Sequence, residues 1–295
     1  MRHHYIPVFY LKRWVGPDGR LCEFSRPFGP RVNPRMTSPS GTGYEDRLYS
    51  IRGAQPDVAD VVEKRFFQVM DDQAARALER LETSGPVGDW SISERSAWTR
   101  FLLSLALRAP SDVAALRDHW DATFTEPDAD AERAYRAQRS ETDPLTFRER
   151  LKAMPPDQSD PYLFDAYVDM IDNLRVGRRI NDMFWAVADT RNAKFELLTS
   201  DRPVIRQPLN DENGHIALPI GPHKLFMAST NKAANDRFKN LSVNDLVSQV
   251  NRLVVEHAEK LVFGSTDVQL RFVSNRLGAD RQPGLLRVRA KSPPP

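Results

Sequence analysis

Apolar residues recur with a helical period through much of the first half of the chain. Between Asp57 and Gly85-Pro86 the matching positions are Val58, Val62, Phe66, Val69, Ala77 and Leu81. A capping-box pattern, Ser91 to Glu94, then precedes a second apolar face formed by Trp98, Phe101, Leu102 and Leu105. The pattern predicts two long helices that supply the core, the second ending at Ala109-Pro110.

The middle of the chain is more polar. An exposed helix is predicted from Ser111 to Arg139, because only Leu116, Trp120 and Phe124 repeat at helical spacing there. The proline-rich stretch 155–161 is predicted to be a linker. A further helix is expected from Tyr162, with one apolar face formed by Phe164, Val168, Ile171 and Leu174.

Beyond residue 182 the apolar period changes to two, which is typical of strands. Strands are predicted at 183–187, 195–199, 204–205, 215–218 and 224–228. A last amphipathic helix is predicted over 243–261. The fold class is therefore α+β, with a helical first half and a small antiparallel sheet with a C-terminal helix in the second half.

The N-terminal segment combines aromatic residues with a proline that suits the first turn of a short helix. Tyr5, Ile6, Phe9, Tyr10 and Trp14 bring so much apolar area that we expect the segment to be buried. A strand is predicted at 21–25, and an irregular loop over 26–43, where prolines and glycines recur.

Length and composition bound the remaining possibilities. The 295 residues divide into an N-terminal segment plus helical region (1–154), a sheet-plus-helix region (160–280) and a disordered tail (281–295), with the first two packed as one continuous unit. Apolar residues make up 40% and charged residues 28%, which is ordinary for a globular protein. No apolar run is long enough to span a membrane, and Cys22 has no second cysteine to pair with, so we expect a cytoplasmic protein without a membrane partner.

Charge is unevenly distributed along the chain. Residues 1–40 contain seven Lys or Arg against two Asp or Glu, and residues 270–295 contain six against one. Residues 110–172 are acidic, with fifteen Asp or Glu against seven Lys or Arg. Two basic ends could attract nucleic acid, whereas the acidic helices could meet a basic protein partner. Scattered charges on a solvated surface are the simpler explanation.

The chain lacks a Gly-rich phosphate loop, a Gly-x-Ser-x-Gly segment and a His-Glu-x-x-His segment. Its most distinctive stretches are His3-His4-Tyr5-Ile6-Pro7 and Thr199-Ser200-Asp201-Arg202-Pro203-Val204. With Asn33-Pro34, Gly43-Tyr44, Glu63, Phe101 through Pro110 and Asn251, these stretches resemble domain of unknown function 4238 over most of the chain. The resemblance implies a mainly bacterial intracellular protein and no established activity. This chain has Val8 where relatives often carry Gln, and Arg202 where they often carry Asn.

Four residues are candidates for catalysis: His3, His4, Asp201 and Arg108. Consecutive histidines point in different directions in regular structure, so we expect one of the two to serve a site. Asp201 is presented from a stiff strand end before Pro203, where a turn that accepts backbone N–H bonds is the structural alternative. Arg108 could clamp an anion or end a helix.

Two further residues are candidates for binding. Glu63 could pair with Arg108 and orient a histidine, or lie on the surface as an ordinary helix charge. Asn251 lies at the edge of the last apolar helix face, where its amide could bind backbone or substrate. His257, on the same helix, is expected to be a core histidine.

Two function classes follow from these residues. The first, slightly favoured, is a non-catalytic interaction or binding module in which the same residues fix the N-terminal segment onto the sheet. The alternative is a hydrolase acting on nucleic acid or phosphorylated nucleotide, with His3 or His4 as general base or ligand, Asp201 as orienter or ligand of Mg²⁺ or Mn²⁺, and Arg108 as anion clamp.

Overall fold

The computed structural model describes residues 1–86, 88–233, 236 and 240–282. Most of the predicted tail, 283–295, lies outside the described residues. The α-helices are α1 Val8–Leu11, α2 Pro56–Ala59, α3 Gln68–Ser84, α4 Ile92–Leu105, α5 Pro110–Thr123, α6 Ala129–Gln138, α7 Phe147–Ala153, α8 Pro156–Ile171, α9 Leu174–Asn181, α10 Val243–His257 and α11 Leu270–Ser274. A π-helical turn, Glu63–Phe67, precedes α3, and short 3₁₀ turns occupy Lys12–Trp14 and Pro39–Gly41.

The strands form antiparallel sheets, as the α+β class predicts. They are β1 Arg2–His4, β2 Leu21–Ser25, β3 Asn33–Thr37, β4 Tyr44–Asp46, β5 Phe184–Asp189, β6 Thr199–Ser200, β7 Ile205–Arg206, β8 His215–Gly221, β9 Lys224–Ser229 and β10 Val262–Gly264. The strand orders are β1-β4, β3-β2-β10-β6 and β5-β9-β8-β7. The second sheet therefore combines strands from both ends of the chain, whereas the pattern of apolar residues predicted one sheet in the second half.

Three apolar clusters hold these layers together. The largest joins the N-terminal segment to the first helices and to the inner face of the β5-β9-β8-β7 sheet. Helix α10 lies between the two four-stranded sheets, because Val250 and Val254 pack in one smaller cluster and Val255 in the other. Its position makes α10 the element that connects the sheets.

The N-terminal segment is buried, as its aromatic content predicts. Tyr10 and Trp14 are fully buried, and Ile6 is nearly so. The Tyr10 hydroxyl lies 2.7 Å from Thr199 Oγ1 and donates to the carbonyl oxygen of Pro219, while Trp14 Nε1 donates to the carbonyl oxygen of Leu197 at 2.8 Å. These bonds attach the first residues of the chain to its second half.

The prediction of an irregular loop over 26–43 is wrong in part. Strand β3 runs through this stretch and pairs with β2, placing Pro34 opposite Phe24. Because β3 is the edge strand of its sheet, the missing N–H of Pro34 removes no bond that the sheet needs.

The first predicted helix is interrupted rather than continuous. The chain turns at Asp60 and then passes through the π-helical turn, which shifts the phase of the apolar face. Phe67 and Met70 are consequently buried, whereas Val58 and Val69 are about half exposed. The end of this helix and the capping box of α4 are as predicted, with Gly85 at a φ of 68° after α3 and Ser91 paired with Glu94.

The proline-rich stretch 155–161 is helical rather than a linker. Pro156 occupies the first turn of α8, where a missing N–H costs nothing, and α8 continues through Pro161. Asp160 anchors this turn, because its carboxylate accepts hydrogen bonds from Arg52 and Arg117. Leu174, predicted on the apolar face of this helix, belongs to α9 and is 74% exposed.

The acidic stretch forms two helices, α5 and α6, with a break at 124–128 instead of one continuous helix. Asp128 caps α6 through a hydrogen bond from the N–H of Ala131. Among the described helices, none is both long and apolar enough to cross a membrane.

Candidate functional site

Both ring nitrogens of His3 are engaged within the fold. Its Nδ1 accepts a hydrogen bond from the N–H of Tyr49 at 3.0 Å, and its Nε2 lies 3.0 Å from Asp60 Oδ1. An accepting Nδ1 carries no proton, so the neutral tautomer that donates from Nε2 fits both contacts. Burial lowers the pKa of His3, with Asp60 acting in the opposite direction. His3 thus holds β1 in place in its neutral form.

His4 points elsewhere, as consecutive strand residues must. It is half-buried, and its Nε2 lies 3.4 Å from the carbonyl oxygen of Ser40. Burial lowers the pKa of His4, and the positive charge of Arg108 adds to that effect.

Arg108 connects the N-terminal segment to the helices. Its guanidinium donates to both carboxylate oxygens of Asp71, at 2.9 and 3.1 Å, and to the carbonyl oxygen of His4 at 2.9 Å. The side chain is 1% exposed and lies over the ring of Phe67. Arg108 forms this bidentate ion pair with Asp71 rather than with Glu63, which the sequence suggested as its partner.

Glu63 lies in the π-helical turn and is 7% exposed. Its Oε2 has no hydrogen-bond partner among the residues that the structure describes. Burial raises the pKa of Glu63 to about 7, although the positive charge of Arg108 opposes this shift. A carboxyl group that titrates near neutral pH can exchange protons, so Glu63 has the properties of a general acid or base.

We call His3, His4, Glu63, Asp71 and Arg108, with Asp60, the N-terminal polar cluster. Coulombic effects on the Glu63 pKa connect it with Arg108, Asp71 and Asp60. Four of the six candidate residues from the sequence therefore lie in one region.

Asp201 belongs to a different set of contacts. Its carboxylate accepts hydrogen bonds from the backbone N–H groups of Glu259, Lys260 and Leu261 at 2.7–2.9 Å. This matches the structural alternative for Asp201, except that the donors come from the segment after α10 and not from the local turn. Burial raises the pKa of Asp201 to about 6, and the three N–H donors act in the opposite direction.

No hydrogen bond or ion pair joins Asp201 to His3, His4 or Arg108 within the described chain. Its charge nevertheless reaches the N-terminal segment, because it adds to burial in raising the pKa of Tyr5. A catalytic role for Asp201 stays a prediction.

The amide of Asn251 binds backbone, one of the two roles expected of it. Its Oδ1 accepts from the N–H of Leu198, and its Nδ2 donates to the carbonyl oxygen of Glu196 and to Gln269 Oε1. His257, farther along α10, is 9% exposed, and burial lowers its pKa, as for a core histidine.

Asn251 also lines a surface cavity of about 570 Å³ between α10, α11 and the segment before β6. We call this cavity the basic-aromatic pocket. Its other polar or aromatic lining residues are Lys194, Phe195, Asn244, Asp245, Ser248, Gln269, Arg271, Phe272, Asn275 and Arg276.

Two cations of this pocket each lie next to an aromatic ring. Lys194 Nζ lies 5.4 Å from the ring centre of Phe195, which is 45% exposed, and the guanidinium of Arg276 lies 4.4 Å from that of Phe272. In the part of the chain that the structure describes, the side chains of Lys194, Arg271 and Arg276 form no ion pair. Asp245 faces the pocket too, but its carboxylate accepts a bond from Ser242 at the start of α10.

The described residues contain no group of three or more His, Cys, Asp or Glu side chains that could hold a metal ion. The Mg²⁺ or Mn²⁺ of the hydrolase hypothesis therefore has no ligand set assigned to it.

A family model described as "Protein of unknown function (DUF4238)" matches residues 2–268. The chain belongs to the DUF4238 family. A search of curated proteins and a search of solved structures each gave no match.

The DUF4238 match includes every candidate residue from the sequence and the lining of the basic-aromatic pocket up to Val268, but not the pocket residues from Gln269 to Arg276. Arg202, one of the departures from the DUF4238 pattern, is bonded within the fold. Its Nε donates to Glu259 at 2.8 Å, and its Nη2 donates to Ser111 at 2.7 Å.

Sequence reasoning missed Asp60, Asp71 and the cations of the pocket. Asp71 lies in a helix rich in charges, where nothing in the pattern distinguishes a buried carboxylate from an exposed one. The pocket residues come from distant segments, so their only sequence signal is the basic character of the C-terminal region.

Proposed function

We propose that the protein is a non-catalytic binding module whose basic-aromatic pocket holds single-stranded nucleic acid. The observation that carries this proposal is the set of three cations, Lys194, Arg271 and Arg276, without an acidic partner among the described residues and beside an exposed aromatic ring.

Cations of this kind match the phosphate backbone. Phosphates attract Lys and Arg whatever the base sequence. The affinity for nucleic acid falls as the salt concentration rises, because binding releases counterions. Asp245 reduces the net positive charge of the pocket, so we expect two or three phosphate contacts rather than a long track.

The aromatic residues match unstacked bases. Phe195 presents 45% of its surface to solvent, and a base can stack on such a ring only when it is not already stacked in a duplex. Asn251 and Gln269 bond each other and the carbonyl oxygen of Glu196, which gives the pocket a rigid floor. These features favour a single strand over a duplex.

The proposal is tested by fluorescence anisotropy with labelled single-stranded RNA and DNA. Phe195→Ala should weaken binding by about 1 to 3 kcal/mol, the usual value of one stacked base. Phe28→Ala is the matched control, since Phe28 is 84% exposed and lies outside the pocket.

The cations are tested by the salt dependence of the same binding. Arg271→Gln should lower the slope of log affinity against log salt by about 0.7, the contribution of one phosphate contact on a single strand. Arg175→Gln, an exposed arginine of α9, should leave the slope unchanged. Equal affinity of the Phe195→Ala variant and the unaltered protein would contradict the proposal. Tighter binding of a duplex or of mononucleotides than of a single strand would contradict the single strand as the ligand.

A hydrolase is the second candidate, and Glu63 is the observation that favours it. Its unpartnered Oε2 and its pKa of about 7 suit an acid or base for phosphodiester chemistry. Cleavage of labelled RNA by the unaltered protein, lost in Glu63→Gln and kept in Phe28→Ala, would support this candidate. Cleavage at the same rate in all three proteins would exclude Glu63 from the reaction.

A further inference from the structure

A second cavity, separate from the basic-aromatic pocket, lies between α4, α8, α9 and the β7–β8 edge. It has a volume of about 360 Å³, and most of its lining is apolar. The residues that matter here are Leu103, Ala106, Met170, Val176, Ile180 and Ile216. We call it the apolar cavity. Cavities of about 300 to 1,000 Å³ with mainly apolar walls and a few polar groups are typical of small-molecule sites.

The polar residues of the apolar cavity are Asn173, Arg206 and Gln207. Asn173 and Gln207 are exposed and Arg206 is half-buried, so the polar groups mark the side on which the cavity opens. A ligand that fills the cavity would therefore place its apolar part inside and a polar end at these residues.

The charged residue among those that line the cavity is Arg206. Helix α9, which supplies Val176 and Ile180, contains three arginines and no acidic residue. One of them, Arg179, donates to the carbonyl oxygen of Leu209, whose side chain also lines the cavity. Arg206 in the lining, with Arg179 next to it, favours an anionic end over a neutral or cationic one.

From this arrangement we infer that the apolar cavity binds a small amphipathic carboxylate of the fatty-acid type, with its alkyl chain between the helices and its carboxylate near Arg206. This inference does not depend on the proposed nucleic-acid function, because the two cavities share no lining residue.

Isothermal titration calorimetry with decanoate, decanol and decyltrimethylammonium tests the ligand class. Decanoate should bind most tightly, decanol more weakly and the cation least. Absence of decanoate binding, or equal binding of the cation, would overturn the inference.

Ala106→Phe tests the location. The new ring would occupy the cavity, so decanoate affinity should fall by about tenfold or more, equivalent to about 1.4 kcal/mol. Ala134→Phe, on the exposed face of α6, is the matched control and should bind decanoate normally. Decanoate binding that Ala106→Phe leaves unchanged would place the ligand elsewhere and overturn the inference.

Arg206→Gln tests the carboxylate end. It should remove the preference for decanoate over decanol, whereas Arg175→Gln should keep it. If Arg206→Gln does not fold, the salt dependence of the decanoate preference in the unaltered protein replaces it, and a preference unchanged by salt would count against Arg206.

Two more measurements distinguish binding in the apolar cavity from binding to a membrane surface and from binding of oligonucleotides. Sedimentation with anionic phospholipid vesicles, without binding of free decanoate, would indicate a membrane surface and overturn the inference. Ala106→Phe should leave oligonucleotide anisotropy unchanged, so failure of one proposal can be recognised without the other.

Discussion

In the N-terminal polar cluster the guanidinium of Arg108 is 1% exposed and donates to Asp71 and to the carbonyl oxygen of His4. In the basic-aromatic pocket Arg271 is exposed and has no acidic partner among the described residues. Both regions contain cations and aromatic rings, and Arg108 and Arg276 each lie over a phenylalanine.

The difference lies in which partners are already present. In the cluster, the polar atoms of His3 and Arg108 are largely used by the protein's own chain, so these residues stabilise the fold. In the pocket, the charges remain available to something outside the chain. The exceptions in the cluster are Glu63 Oε2 and Arg108 Nε, which have no hydrogen-bond partner among the described residues.

The largest expected effect comes from Arg108→Met. Removing the buried guanidinium leaves the half-buried carboxylate of Asp71 without its partner, which should lower the free energy of unfolding by about 3 kcal/mol. Denaturant unfolding measures this, with Arg175→Met as the exposed control. Adding Asp71→Leu to Arg108→Met should restore part of the lost stability. If Arg108→Met loses no more stability than Arg175→Met, the stabilising role of Arg108 is contradicted.

The next effect depends on pH and concerns Glu63. Its folded-state pKa of about 7 lies above its ordinary value of 4.5, so the folded protein binds the proton more tightly than the unfolded chain. The stability due to this group is fully present below pH 4.5 and is lost as the pH rises through 7.

Glu63→Gln imitates the protonated form. We expect it to lie within about 1 kcal/mol of the unaltered protein at pH 5 and to be more stable at pH 8, by as much as about 3 kcal/mol. Urea unfolding at both pH values checks this. The same difference at pH 5 and pH 8 would mean that Glu63 does not titrate in this range.

A smaller effect is expected for Asp201→Ala. Loss of the carboxylate leaves three N–H donors without their acceptor, in residues 259–261 that are themselves half-buried or exposed, so we expect a loss of about 2 kcal/mol. Asp118→Ala, at an exposed helix position, is the control. Millimolar Mg²⁺ or Mn²⁺ should change the melting temperature of the unaltered protein and of Asp201→Ala equally, and a rise in the unaltered protein alone would favour the metal-ligand role.

The smallest effect on stability is expected in the pocket. Lys194→Gln and Arg271→Gln remove exposed charges without described partners, so the free energy of unfolding should change by less than about 0.5 kcal/mol. Both variants should nevertheless weaken oligonucleotide binding. A stability loss as large as that of Arg108→Met would show that the pocket cations, too, serve the fold.

Local signals in the sequence predicted individual elements well. The capping box at Ser91, the strand at Leu21–Ser25 and the burial of Tyr10 and Trp14 all follow from neighbouring residues. The errors arose where distant residues decide the outcome. Pro34 is tolerated only because β3 is an edge strand, and α8 continues through Pro161 beside Asp160, which Arg52 and Arg117 bind.

The same division holds for the candidate site. The sequence indicated His3, His4, Glu63 and Arg108, which do lie in one region, but it could not distinguish Asp71 from the other carboxylates of α3 as the partner of Arg108. It also gave no sign that Asn251 would lie at the floor of a basic-aromatic pocket, because the pocket joins segments from about residues 194 to 276.

By itself the sequence determined the family, the α+β class and the burial of the N-terminal segment, because these depend on apolar period, turn residues and side-chain area within short windows. Only the tertiary structure decided which charges are satisfied and which are left facing solvent. The reason is physical: the role of a polar side chain depends on its burial and on partners that come from far along the chain, as Arg108 and Arg271 illustrate.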